Sequence, residues 1–270
     1  MPTSPLFAFT LHLADNALIL AQRNAEWTGH GPVLEQDIAI TNITLDLIGQ
    51  ARNFYQYAAG LYNGFDSEEK SAVAHLVPRL WKTFGRELEE DDLAFLREER
   101  QYLNLLLVEL PRGDWAQAVL RQALFSLYQQ AVYAQLKNSH HAQLAAIAEK
   151  GGKETAYHVR WSSEWVIRLG DGTEESSRRI KKAVEDLWPF TGELLMPATY
   201  EQENHLGLNH AALISKWQQK TAAVFSEALL EVPKQTGFQY GGKEGRHTEH
   251  LGYLLAEMQY LQRTYPNAVW

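Results

Sequence analysis

The sequence predicts an all-α fold, an elaborated four-helix bundle with additional shorter helices, organised as one domain over residues 1–270. Three observations predict it. Apolar residues recur at i, i+3, i+4 and i+7 over long segments, and no alternating strand pattern lasts more than a few residues. Nine prolines, with glycine-containing turns, cut the chain into helix-length pieces. At least four of these pieces reach twenty residues or more, as the long elements of a bundle do.

The first helix is expected over 7–27, with Leu11, Leu18 and Ala25 at heptad spacing. The turn GHGP (29–32) leads into a central helix over 33–61, opened by Pro32, whose missing N–H suits a first turn. Val33, Ile40, Leu47, Phe54 and Leu61 repeat every seventh residue, and Leu34, Ile38, Ile43, Leu45, Ile48 and Tyr57 spread apolar character over most of the circumference. Such a helix is expected to be buried. Asn42, Asp46, Gly49, Asn53 and Gln56 form its one polar stripe, which faces either solvent and a partner or an inner site. Asn63-Gly64 ends it. A short helix over 68–76, capped by Asp66-Ser67, is broken by Pro78; a turn or two over 79–85 and a helix over 89–108 follow. Asp114 caps a helix over 115–137. A helix over 142–169 carries Gly151-Gly152, where a kink or break is expected. Helices over 173–196, disturbed at Pro189, over 209–231 and over 248–263 complete the chain, the last preceded by a loop over 237–247.

Composition excludes several classes. There is no cysteine, hence no disulfide or thiolate metal site. The net charge of −8 without a dense Lys/Arg stripe argues against nucleic acid. His12, Asp15 and Asn16 interrupt the apolar N-terminal residues, which lack a basic leader, so neither a signal peptide nor a membrane span is expected and the location expected is cytoplasmic. Eight tryptophans and twelve tyrosines serve core packing and suit a large interface.

Bundles of this length often hold a di-iron centre, which needs Glu from two helices and Glu-x-x-His from two others. Among all histidines only Glu244-Gly-Arg-His247 has the spacing, and it lies in a glycine-rich loop. Asp46 stands three residues before Gly49, where a histidine ligand would be needed, and Glu154 three before Tyr157, with His158 one place late. Asp46, Glu154 and His158 are therefore degenerate di-iron-like positions. If they face inward, the carboxylates should be hydrogen-bonded or paired, Arg52 and Arg160 being the basic groups on the same helices. Glu26 and His30 repeat the i, i+4 spacing of Glu154 and His158 across a helix end. The cluster His247, Glu249 and His250 reads as a metal or docking site or as a helix start. GGKEG (241–245) reads as a phosphate-binding loop or as a connector. There is no nucleophile elbow, Walker loop or dinucleotide fingerprint.

Three stretches, EWTGHGPVLEQDIAITNITLDLIGQARN (26–53), ETAYHVRWSSEWVIRLGDGTEES (154–176) and GGKEGRHTEHLGYLLAEMQYLQRTYP (241–266), resemble the C subunits of bacterial phenylacetyl-CoA epoxidase, the multicomponent monooxygenase of phenylacetate breakdown. The resemblance implies a ferritin-like fold and a non-catalytic structural subunit with no catalytic residue, no metal and no cofactor of its own. It implies binding to the catalytic A subunit, whose di-iron centre epoxidises the aromatic ring, and further B and D subunits and a reductase. The stretches 26–53 and 241–266 are the contact regions expected, and a homodimer stays open. Two other readings stand beside it. One is an independent di-metal oxidase using Asp15, Asp46, Glu154 and His158, and the other is a small-molecule-binding bundle.

Overall fold

A computed structural model describes residues 4–201, 206–234 and 237–268. Its helices of ten or more residues are α1 (Ser4–Ala25), α2 (Leu34–Gly64), α3 (Trp115–Leu136), α4 (Ala142–Gly170), α5 (Glu174–Leu187), α6 (His210–Glu227) and α7 (Glu249–Met258). No strand occurs among the described residues. α1 and α2 form one hairpin, α3 and α4 a second, and α2 packs on α4. One long connection, 65–114, joins the hairpins, which is the connectivity of ferritin-like bundles. α5 and α6 pack outside α3 and α4.

α1 is the inner helix. By length and composition it could cross a membrane, yet 89% of its most apolar window lies inside the protein. Its core location follows from burial on nearly every side, polar Thr10, His12, Asp15, Asn16 and Asn24 included. α2 departs from expectation. Ile40, Ile43, Leu47 and Phe54 are buried, but Leu34 is 72% and Leu45 61% exposed, with Ile38 and Ile48 exposed beside them. The helix is thus apolar all round because it has two apolar faces, only one of them covered by α1.

The expected helix over 89–108 does not form. The chain makes Glu90–Phe95, a 3-10 turn at Glu99–Gln101, extended backbone, and then Leu106–Glu109. The reason is tertiary. Asp15 Oδ2 accepts the Leu103 N–H and Asn16 Oδ1 the Leu105 N–H, each at 2.8 Å, and Glu193 Oε2 accepts the Leu106 N–H at 2.8 Å. Backbone donors that a helix would satisfy within itself are satisfied from α1 and from the segment after α5.

The break expected at Gly151-Gly152 is absent, and α4 runs through it. A Cβ at Gly151 would sit 2.8 Å from Tyr133 Cε2. The glycine therefore lets α4 lie close against α3, and that packing offsets its poor helix propensity. The helix expected over 173–196 ends at Leu187, and Pro189 sits in a 3-10 turn, Trp188–Phe190. The helix expected over 209–231 ends at Glu227; Leu229 takes φ 55° and the Leu230 N–H returns to the Phe225 carbonyl at 2.8 Å. The last helix divides into α7 and Tyr260–Thr264 around Gln259, whose amide donates to the Arg97 carbonyl and the Tyr102 hydroxyl, both at 2.9 Å. In 66–76, Asp66 builds a capping box for Ser67–Ala72 and a 3-10 turn follows.

Candidate functional site

The three degenerate positions meet where α2 crosses α4, with α3 behind them. His158 is fully buried, and its Nε2 lies 3.0 Å from Asp46 Oδ2, a side chain that is 36% exposed. One turn further along α2, Gln50 Nε2 donates to Glu154 Oε2 at 2.8 Å. Gln50 Oε1 accepts from Gln129 Nε2 and from the Tyr133 hydroxyl, each at 3.0 Å, and the Thr155 hydroxyl donates to Gln129 Oε1 at 3.1 Å. Burial raises the Tyr133 pKa and keeps the phenol a donor. Helical spacing explains the set, since Asp46 and Gln50, Gln129 and Tyr133, and Glu154 and His158 are each i, i+4 pairs.

Asp46, Glu154 and His158 are therefore close in space but engaged in two separate pairs, Asp46–His158 and Glu154–Gln50. Two of the nearest polar side chains are amides, Gln50 and Gln129, whose oxygens are already bonded within the layer. Among the described residues no group of three or more His, Asp or Glu side chains is arranged to hold a metal ion. The donor set does not fit a di-metal centre, which needs carboxylates on several helices. Gln50 and Gln129 were not singled out from the sequence, because a glutamine on a helix carries no spacing signal of its own.

The expected basic partners lie elsewhere. Arg52 pairs with Glu90 at 3.3 Å, and Arg160 lies over the Tyr157 ring at 5.7 Å. Glu26 pairs with Arg23 at 2.6 Å, and His30 bonds the Thr28 carbonyl at 3.1 Å. Asp15 belongs to a different cluster. It is fully buried in an ion pair with Arg97, and it accepts the Tyr55 hydroxyl at 2.5 Å in addition to the Leu103 N–H. Burial works against the Arg97 charge, but Asp15 outweighs it and the guanidinium pKa is raised.

The two loop motifs are structural in this fold. His247 Nδ1 lies 2.7 Å from Glu109 Oε2, and its Nε2 lies 2.9 Å from the Tyr102 carbonyl. Both neighbours are acceptors, so both ring nitrogens donate and the imidazolium is the form that satisfies them. Burial opposes that charge; the Glu109 hydrogen bond and charge outweigh it and raise the His247 pKa. Glu244 instead pairs with Arg246 at 2.6 Å. Thr248 caps α7, with Glu249 in its first turn. The backbone amides of GGKEG hold an anion of the chain itself: the Gly241 and Lys243 N–H groups donate to Glu193 Oε1 at 2.9 and 3.3 Å. Glu193 is a residue that sequence reasoning missed, and only its fold neighbours reveal it.

The described tryptophans serve the packing of the protein, and none of them is exposed. Trp27, Trp115, Trp161 and Trp165 pack edge to face, and the Trp161 and Trp165 indoles share Gln36 Oε1 at 3.0 and 2.7 Å. Two sets of exposed apolar side chains stand out, beside others such as Met196, Leu229, Val232 and Tyr240. One is the α2 stripe of Leu34, Ile38, Leu45 and Ile48, and the other is the C-terminal set Tyr253, Tyr260, Leu261 and Tyr265. The stripe spacing of four, seven and three residues is that of a coiled-coil seam with Thr41 at the missing position.

Fold and site define a class: a ferritin-like bundle whose central polar layer is bonded through amides. Within that class the chain belongs to the family described as phenylacetic acid catabolic protein, which it matches over residues 1–270. It is 43% identical over 268 residues to the C subunit of 1,2-phenylacetyl-CoA epoxidase from Escherichia coli (strain K12), covering 98% of this chain and 99% of that protein. The resemblance read from the three sequence stretches holds at this level. Among solved structures, protein 19 with aldehyde deformylating oxidase activity from Synechococcus is similar with a TM-score of 0.49 and 15% identity, over 84% of this chain and 88% of that one.

Proposed function

We propose that this chain is the non-catalytic structural subunit of a cytoplasmic phenylacetyl-CoA ring epoxidase, a single domain over 1–270 that binds and supports the di-iron catalytic A subunit. Further B and D subunits and a reductase complete the assembly. The placement in a complex is supported by the relative, which is itself one subunit of such an enzyme. The observation that carries the docking role is the exposed stripe Leu34, Ile38, Leu45 and Ile48 along one face of α2. A row of large aliphatic side chains at heptad spacing is unfavourable in water and favourable against another helix. Both sets fall in 26–53 and 241–266, two of the three stretches that carry the family resemblance.

In this reading Asp46, Glu154 and His158 bind no metal and take no part in turnover. They and the amides of Gln50 and Gln129 join α2 to α3 and α4 and so hold α2 rigid behind its outer face. The independent oxidase reading loses Asp15, which Arg97 neutralises in another cluster.

The test is co-expression with the catalytic subunit from the same source, followed by size-exclusion chromatography and an epoxidation assay. The wild-type chain is expected to co-elute with that subunit, and Leu45→Lys/Ile48→Lys to elute alone with an unchanged melting temperature. Turnover by the isolated chain, or stoichiometric iron or manganese in it, overturns the proposal. Co-elution undiminished in the double variant overturns the docking face.

A further inference from the structure

A cavity of about 630 Å³ lies between α6, the segment 188–196 and the strap segments 232–234 and 237–240, and no described residue of α2 or α4 lines it. Its size falls in the range of small-molecule sites, roughly 300–1,000 Å³. Among the described residues no Lys, Arg, Asp, Glu or His side chain lines it.

Its aromatic wall is built rather than loose. The Trp217 indole is fixed by its bond to the Leu124 carbonyl at 3.0 Å. Trp188 packs on Trp217 at 6.0 Å and on Phe225 at 5.8 Å between ring centroids. Phe238 also lines the cavity, seated against Gly192 so closely that a Cβ there would fall 2.4 Å from the Phe238 ring. The Gln239 N–H anchors that strap to the Pro189 carbonyl at 2.8 Å. Tyr240 and Gln218 stand at the exposed rim.

Two buried polar groups in the cavity's lining residues have no partner, Trp188 Nε1 and Thr221 Oγ1. Both can donate. A buried donor left unbonded is unfavourable, so an acceptor that reaches it is favoured. Thr221 is the one that can reach, because a threonine in a helix has two accessible χ1 wells and a change of well redirects the hydroxyl.

We infer that this cavity is a binding site for an uncharged aromatic molecule carrying one carbonyl acceptor, such as an aryl amide or ester. The flat ring lies against the Trp188–Trp217 wall and Phe238, and the carbonyl accepts from Thr221. A carboxylate on the same ring is rejected, since no cation among the described lining residues is there to replace its water. The site does not depend on the proposed assembly role, and the cavity can be tested with the isolated full chain.

Isothermal titration calorimetry with 1-naphthylacetamide and 1-naphthylacetate tests it. The amide is expected to bind one per chain, and the acetate at least about tenfold more weakly, as an unpaired charge in an apolar site requires. Thr221→Val, which keeps the shape, is expected to weaken amide binding about three- to tenfold, the worth of one hydrogen bond. Leu195→Trp and Ala222→Phe fill the space from opposite sides, and each is expected to abolish binding with the circular dichroism of the wild type. No heat from the amide up to its solubility limit overturns the inference. So does equal affinity for amide and acetate, or affinity unchanged in whichever filling variant folds.

Discussion

Two buried polar regions of this molecule invite comparison. The layer between α2, α3 and α4 is built from amides, a phenol and a half-exposed acid–imidazole pair. The cluster between α1, the irregular 88–109 segment and the C-terminal helices is built from full charges: Asp15 with Arg97, Glu109 with His247, and Glu201 with Lys243. The first joins helices that would be regular without it. The second replaces regular structure, because its carboxylates and Asn16 take over backbone N–H groups of a segment that has no helix of its own. The difference teaches where buried charge is used here: not at the place where a bundle would hold a metal, but where the chain must be held in a shape it does not choose locally.

The comparison breaks most visibly at Arg97. Arg97→Met leaves Asp15 buried without its cation, and a loss of about 3–5 kcal/mol is expected in urea denaturation. Asp15→Leu/Arg97→Met should recover part of that loss but not all, since the Leu103 N–H and Tyr55 hydroxyl lose their acceptor.

The next effect is one of pH. His247 is held as a cation by Glu109, so its folded pKa lies above the unfolded value of about 6.5. Its contribution to stability is therefore complete below about pH 6.5 and is lost as pH rises through the raised folded value. His12 behaves in the opposite sense. Burial lowers its pKa, its Nδ1 donates to the Leu103 carbonyl at 2.7 Å and its Nε2 accepts from the Asn16 amide at 3.1 Å, so the neutral ring fits. It destabilises the fold as pH falls below about 6.5, where the unfolded chain takes up the proton more readily. In Glu109→Gln the deficit in melting temperature relative to wild type is expected to be larger at pH 6 than at pH 9. An equal deficit at both values would show that His247 carries no charge in the fold.

The amide layer should respond least. Gln50→Leu strips partners from Glu154, Gln129 and Tyr133 and is expected to cost about 1–3 kcal/mol. Asp46→Ala, at a half-exposed pair, is expected to cost about 1 kcal/mol or less. Reversal of that order would place the energetic centre of the layer at the acid–imidazole pair rather than at the amides.

What the sequence determined by itself was the four long helices α1 to α4 and their limits where punctuation is chemical. Asp114 caps α3, Asp66 caps the short helix after α2, and Asp171-Gly172 follows α4, all by local hydrogen bonding or backbone preference. It also showed the lack of paired Glu-x-x-His motifs, because ligand spacing on a helix is a local property. The tertiary structure alone decided three matters. It unwound 102–105, because acceptors for the Leu103 and Leu105 N–H groups come from α1, some ninety residues earlier. It kept α4 continuous through Gly151-Gly152, because Tyr133 fills the space that a side chain at Gly151 would need. It chose which apolar face of α2 is core and which is surface, because periodicity reports that a face is apolar and only a packed neighbour can cover it.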